Sequence, residues 1–266
     1  MLSTDDPILL RHDDGRGVTT LTLNRPQAFN SLSEAMLAAL QRELDLLMQD
    51  DHLRVLVIAA SGKAFCAGHD LKEMRAQPSQ DYYRDLFARC ARMMMSLQKL
   101  PVPVIAKVQG IATAAGCQLV AQCDLAVAAS TTRFAVSGVN LGLFCSTPSV
   151  PLSRNLSRKA AFEMLATGEF ISAHDAQTKG LINRVAEPDA LDAAVAALVD
   201  SILAKPREAL AMGKQLFYRQ LDAGMEAAYA DAGHTMACNM VEESALEGVQ
   251  AFIEKRTPNW LSLIHI

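Results

Sequence analysis

The sequence predicts an α/β fold with an all-helical C-terminal region, and three observations carry that prediction. Short β-rich runs alternate with helical ones through the first half of the chain. From about residue 189 to residue 256 the text is rich in Ala, Leu, Glu and Lys and reads as helix. No flexible linker, long repeat or low-complexity segment separates the two parts. The expected organisation is a core over 1–190 and a helical region over 191–260. Residues 261–266, Leu-Ser-Leu-Ile-His-Ile, are expected to be a disordered or non-native tail, and no function is built on them.

Val18 to Leu23 alternates apolar and polar residues like a half-buried strand, and Asn24-Arg25-Pro26 ends it. Ser31 and Glu34 have the spacing of a capping box, opening a helix with Leu37, Leu40, Leu44 and Leu47 on one face. Residues 54–59 form a buried strand that leads into a loop through Gly62 and Gly68. A helix over roughly 81–99 runs to Pro101-Val-Pro103, which fixes a turn before a strand over Val104–Val108. A short helix begins near Ala114, and 124–129 is another strand. Past residue 150, 157–166 reads as a helix stopped by Thr167-Gly168, and Ser172 with Asp175 caps the next one, which Gly180 ends. Pro206 suits the first position of a further helix.

The composition excludes several function classes. Half of the 266 residues are hydrophobic and 20% are charged, which is ordinary for a globular protein. The net charge is -4 with both signs interspersed, so no nucleic-acid surface is expected. The longest apolar runs are strand-sized, so no membrane span is expected. The opening residues are acidic and lack a basic or Arg-rich stretch, which leads to an expectation of a cytoplasmic protein. Six cysteines, at 66, 90, 117, 123, 145 and 238, form no C-x-x-C pair and read as free thiols. The histidines are isolated from one another and from the cysteines, so no metal site is expected.

Two glycine-containing loops follow buried strands: Ser61-Gly-Lys-Ala-Phe-Cys-Ala-Gly-His-Asp-Leu-Lys-Glu73 and Gly110-Ile-Ala-Thr-Ala-Ala-Gly-Cys-Gln-Leu119. Each alone reads as a strand-to-helix turn. Together they offer one backbone N–H apiece, the second at a helix N-terminus, to clamp a carbonyl oxygen that gains charge during reaction.

Together the loops resemble the G-x-A-F-x-A-G-x-D-[ILV]-x-E and N-G-x-A-x-G-G-G-x-E-L motifs of the crotonase (enoyl-CoA hydratase/isomerase) superfamily. Asn24-Arg-Pro-Gln-Ala-Phe-Asn-Ser31 is similar to that family's CoA loop. Gly168-Glu-x-Ile-Ser-Ala, Gly180-Leu-Ile-Asn-x-Val and Ala251-Phe-Ile-Glu-Lys-Arg256 are similar to its later landmarks, in register from about residue 8 to residue 260. The resemblance implies a crotonase-like spiral of ββα units with a C-terminal helical trimerisation region. It implies an acyl-CoA partner, with coenzyme A entering as part of the substrate and no covalently bound cofactor, and a lyase or isomerase chemistry. The N–H groups of His69 and Ala115 would form the oxyanion hole, with strain expected at Ala115 if the site needs a positive φ. Gln27, Ala28, Ala67, His69, Asp70, Leu71, Lys72, Ala115 and Cys145 would line the substrate. Phe252 and Lys255 would reach the CoA of a neighbouring subunit in a homotrimer or dimer of trimers.

The departures from the motifs concern the acids. Gln118 stands where the family has one hydratase glutamate, and Gly138 falls at the position of the other. General acid–base catalysis contributes typically 10²–10⁴ per group, so ordinary hydration is expected to be weak or absent. The alternative is a catalytically silent acyl-CoA-binding or regulatory protein. Among substitutes, an imidazole at His69 is a candidate base, Cys145 a candidate nucleophile, and Gln118 a hydrogen-bonding group.

Overall fold

A computed structural model describes residues 7–260, in two compact units: residues 7–100 with 104–199, and residues 101–103 with 200–260. Nine strands lie in the first. β1 (Leu9–Asp13) pairs antiparallel with β2 (Val18–Leu23), and β2 then pairs in parallel with β3 (Val55–Ala60). Parallel pairing continues to β4 (Val104–Val108), and beyond β5 (Ile111–Thr113), which lies elsewhere, to β6 (Leu125–Ala129). β7 (Arg133–Ala135) and β8 (Ile171–Ser172) join β5 in a small second sheet, while β9 (Arg184–Ala186) completes the large one. The orders are β1-β2-β3-β4-β6-β9 and β5-β7-β8.

The continuous apolar text of β3 follows from this topology. Its residues are buried on both faces up to Ala60, as the inner strands of a parallel sheet must be. Around it sit α1 (Glu34–Leu47), α2 (Leu71–Ala76), α3 (Gln80–Lys99), α4 (Ala115–Gln122), α5 (Ser146–Asn155), α6 (Arg158–Thr167) and α7 (Ala173–Lys179). The apolar stripe Leu37, Leu40, Leu44 and Leu47 of α1 is buried as its spacing predicts. α8 (Leu191–Leu203) leads into the second unit, whose helices are α9 (Arg207–Gln220), α10 (Met225–Met240) and α11 (Glu243–Ile253).

Some local expectations shift by a residue or two. The cap of α1 is Ser33, whose hydroxyl accepts from the Met36 N–H at 3.2 Å. Ser31 is instead drawn to the Asp70 carboxylate, and the Glu34 carboxylate to Tyr82 and Arg89, so no box forms between them. Pro206 is the cap of α9 rather than its first residue. The Ser172–Asp175 capping box forms in full, and Gly168 and Gly180 end their helices in the left-handed conformation. The expected tail over 261–266 lies outside the described residues.

Candidate functional site

The two glycine-containing loops meet because each supplies the other's missing backbone partners. Phe65 and Cys66 N–H groups donate to the Ile111 carbonyl at 2.9 and 3.1 Å, and Thr113 N–H donates to the Cys66 carbonyl at 3.0 Å. The Asn30 amide ties the first loop down, donating to the carbonyls of Ser61 and Ala64 at 2.8 Å each. Gly116 makes the close approach possible: a Cβ there would lie 2.1 Å from the Cys66 carbonyl oxygen. His69 thus comes beside the start of α4. Ala115 is the first residue of that helix, 3% exposed, and the strain expected there falls on its neighbour instead. Ala114 has φ 52° and ψ -121°, a conformation that favours glycine, and its own N–H is held by the Ala135 carbonyl at 3.0 Å. The N–H groups of His69 and Ala115 donate to no backbone carbonyl among the described residues.

These elements line a cavity of about 590 Å³. Of the residues expected to contact substrate, Gln27, Ala28, Ala67, His69, Asp70, Leu71, Lys72, Ala115 and Cys145 line it, and so does Gly138. Gln118 is buried one turn into α4, with its Oε1 lacking a hydrogen-bond partner, and is not part of the lining. Phe252 and Lys255 belong to the second unit, outside the lining; Phe252 is 84% exposed. The sequence reading missed Phe87 of α3, Ser137, Leu143 and Phe144, all on the wall. Only the period-3.6 pattern of α3 could have flagged Phe87, because no motif names it.

Two ionisable groups of the wall, Arg25 and Asp70, are paired with each other. Asp70 accepts from Arg25 at 3.2 Å and caps α2 through the Lys72 N–H at 3.1 Å. Burial alone would raise its pKa, but the Arg25 bond, two backbone N–H groups and the Arg25 charge outweigh that and hold it below the ordinary value of 3.8. Burial pushes the Cys145 thiol up, against a smaller opposing effect of the Gly138 backbone, so it is a poorer nucleophile than an ordinary cysteine. Cys117, fully buried, is pushed up to about 12 by the same cause. Burial lowers the His69 pKa, with a contact of the ring to the Leu32 backbone opposing in part, and both ring nitrogens are buried. Its ring meets Phe87 edge-on at 5.5 Å. At Gly138 a Cβ would come 2.5 Å from the Leu143 carbonyl oxygen and 2.7 Å from the Cys145 sulfur, so no larger side chain fits without displacing the loop. Among the described residues no cluster of three or more His, Cys, Asp or Glu side chains is placed to hold a metal, and no helix is long and apolar enough to cross a membrane.

This arrangement of two docked loops over a cavity is that of the acyl-CoA-handling crotonase fold. The sequence profile of the enoyl-CoA hydratase/isomerase family matches residues 13–262, and the chain belongs to that family, whose members bind acyl-CoA thioesters. It is 46% identical to the mitochondrial enoyl-CoA hydratase domain-containing protein 3 of Xenopus laevis, over 92% of this chain and 83% of that protein. Among solved structures it is similar to an enoyl-CoA hydratase of Mycobacterium smegmatis, with 67% identity and a TM-score of 0.95 over 96% of this chain and all (100%) of the other. The human domain-containing protein 3 structure is 41% identical with a TM-score of 0.92, over 96% of this chain and 100% of that one. The crotonase fold expected from the motifs is therefore the fold found. The cytoplasmic expectation is overturned, because these domain-containing protein 3 relatives carry a mitochondrial designation. That expectation rests on the acidity of the opening residues and their lack of a basic or Arg-rich stretch, which place no physical limit on where such a fold works.

Proposed function

We propose that this protein binds acyl-CoA thioesters with the acyl carbonyl between the N–H groups of His69 and Ala115, and that it hydrates enoyl-CoA negligibly. Coenzyme A enters as part of the substrate, along the wall of Gln27, Ala28 and Lys72. The observation that carries this reading is a pair of N–H groups with no backbone partner, on loops that bond to each other and open onto the same cavity. Donors fixed in this way stabilise an oxygen that becomes negative, as the carbonyl of a thioester does when it turns into an enolate.

Adding water to a double bond needs, beyond polarisation, a positioned water and two proton transfers. Gln118 is an amide, neither acid nor base near neutral pH, and Gly138 has no side chain. With both carboxylates replaced, crotonyl-CoA hydration is expected to fall on the order of 10⁴-fold or more below an ordinary enzyme. Binding without turnover is the second reading, favoured by the absence of room at Gly138 for any replacement acid. In either reading the chain assembles as a homotrimer or a dimer of trimers through the helices after residue 190, where Phe217, Tyr229, Met236 and Phe252 are exposed. Phe252 and Lys255 then reach the CoA of a neighbouring subunit.

The test is a panel of acyl-CoAs offered to the purified protein, following binding by calorimetry and products by chromatography. Micromolar binding with crotonyl-CoA turnover far below ~10 s⁻¹ is the expected result. No binding of any thioester, or hydration at ordinary rates, would overturn the proposal.

A further inference from the structure

Five of the six cysteines are buried and one is not. Burial pushes the thiols of Cys66, Cys90 and Cys117 up to about 12 and raises that of Cys145, so these are poor nucleophiles at neutral pH. Cys238, on α10, is partly exposed and has a base beside it. Its sulfur lies 3.7 Å from Nε2 of His234, one turn earlier on the same helix. Asp231 stands three residues before His234, its carboxylate held by Arg219 of α9 at 2.6 and 2.8 Å. That bond, with the charges of Arg219 and His234 as smaller contributions, keeps Asp231 below its ordinary value of 3.8. Carboxylate, imidazole and thiol thus follow one another along one side of α10, at spacings of three and four residues.

We propose that Cys238 and His234 form a thiol-modification site that takes a low-molecular-weight disulfide and leaves a mixed disulfide on Cys238. The site is separate from the cavity and does not depend on what the cavity binds. In the tautomer with its proton on Nδ1, His234 accepts the thiol proton at Nε2 as the sulfur attacks. The attacked S–S bond breaks, a new one forms to Cys238, and the proton passes from His234 to the departing thiolate. Cys238 is oxidised as the departing sulfur is reduced, so the disulfide is the only co-reactant. Cys238 lies within α10, where backbone N–H groups are committed to the helix, so a thioester carbonyl would find no oxyanion donor there. Disulfide exchange needs none. At about 100° per residue, the exposed Met225, Tyr229, Met236 and Met240 fall on the opposite face of α10. An assembly that covers those residues leaves the thiol facing away from it.

Incubation of the intact, reduced protein with glutathione disulfide, followed by mass spectrometry of the whole chain and its peptides, tests this. A first adduct on Cys238 is expected, formed before any other cysteine reacts. His234→Gln should slow its formation about tenfold at neutral pH, short of the ~10²–10⁴ of general acid–base catalysis because the pair is open to water. In denaturing urea, where the pair is taken apart, the wild type and His234→Gln should react at Cys238 equally fast. Equal rates for the two folded proteins, a first reaction at another cysteine, or no adduct would each overturn the inference. A rate difference that persists in urea would overturn it too, because it could not come from the folded pair.

Discussion

The two walls of the cavity record their chemistry in different materials. On one side, the loop carrying His69 and the start of α4 present backbone N–H groups, positioned by the bonds of Phe65, Cys66 and Thr113 across to the other loop. On the other side lie Gly138, which has no side chain, and Cys145, so whatever that wall contributes depends on side chains. A backbone donor survives substitution of the residue that carries it, and Ala115 in place of glycine still offers its N–H. A side-chain acid is lost in one codon change. Under the proposed function, recognition therefore rests on backbone geometry, and proton transfer would rest on side chains.

The largest expected effect tests the first wall. Gly116→Ala places a methyl 2.1 Å from the Cys66 carbonyl oxygen, an obstacle of backbone that cannot swing aside. The loops must part, at a cost at the upper end of the roughly 1–3 kcal/mol of overpacked cores, because the obstacle is backbone. The urea midpoint should drop, and acyl-CoA affinity should drop with it, because the two N–H groups no longer converge. A variant as stable and as tight-binding as wild type would show that loop docking does not set the site.

Next comes the second wall. Restoring both acids with Gln118→Glu and Gly138→Glu is the natural attempt to revive hydration, but the contacts at Gly138 oppose it. With the Leu143 oxygen at 2.5 Å and the Cys145 sulfur at 2.7 Å from a new Cβ, the substitution should destabilise by about 1–3 kcal/mol. The double variant should therefore remain without measurable crotonyl-CoA hydration. Appearance of activity would show that the 137–145 segment yields more easily than its packing indicates.

The contrast between the walls also explains what the sequence discloses. The strands β2, β3 and β4, the caps at Ser172 and Gly180, and nearly the whole cavity lining on the His69 side were legible, because each is written in contiguous text. β1 was not read as a strand, since four of its five residues are exposed and leave no apolar period. β5, β7 and β8 have only three, three and two residues, too short for any period. Phe87 and Phe144 reach the site through tertiary packing alone. That Gly138 has no room, rather than merely no side chain, depends on Leu143 and Cys145 folding back over it.

A smaller effect concerns the ion pair at the cavity's rim. Because the folded Asp70 lies below its ordinary value of 3.8, its contribution is complete at neutral pH and fades as the pH falls through the lower folded-state value. Asp70→Asn should cost about 1–2 kcal/mol at pH 7, since it keeps an acceptor for the Lys72 N–H but removes the charge that faces Arg25 and the α2 N-terminus. At sufficiently acid pH, where Asp70 is itself protonated, the variant and wild type should converge. Unfolding curves at pH 7 and at the acid limit of native structure check this, and a gap that stays constant with pH would refute the assignment.

The smallest effect has the opposite sign and falls on the strained residue between the walls. Ala114 holds φ 52° and ψ -121°, which costs a residue with a Cβ about 1–3 kcal/mol. Replacing it by glycine removes that strain, forfeits one partly buried methyl worth roughly 0.8 kcal/mol, and frees the unfolded chain a little more. The strain is the larger quantity, so Ala114→Gly should stabilise by up to about 1 kcal/mol, read as a rise in the urea midpoint. The N–H of residue 114 still donates to Ala135 in the variant, so the direction of the Ala115 N–H should be preserved. Acyl-CoA affinity should then change by less than about threefold, the difference made by a few tenths of a kcal/mol. A stabilised variant that has lost its affinity would mean that the strain itself aims the Ala115 N–H, and that the cradle is held under tension rather than merely folded into place.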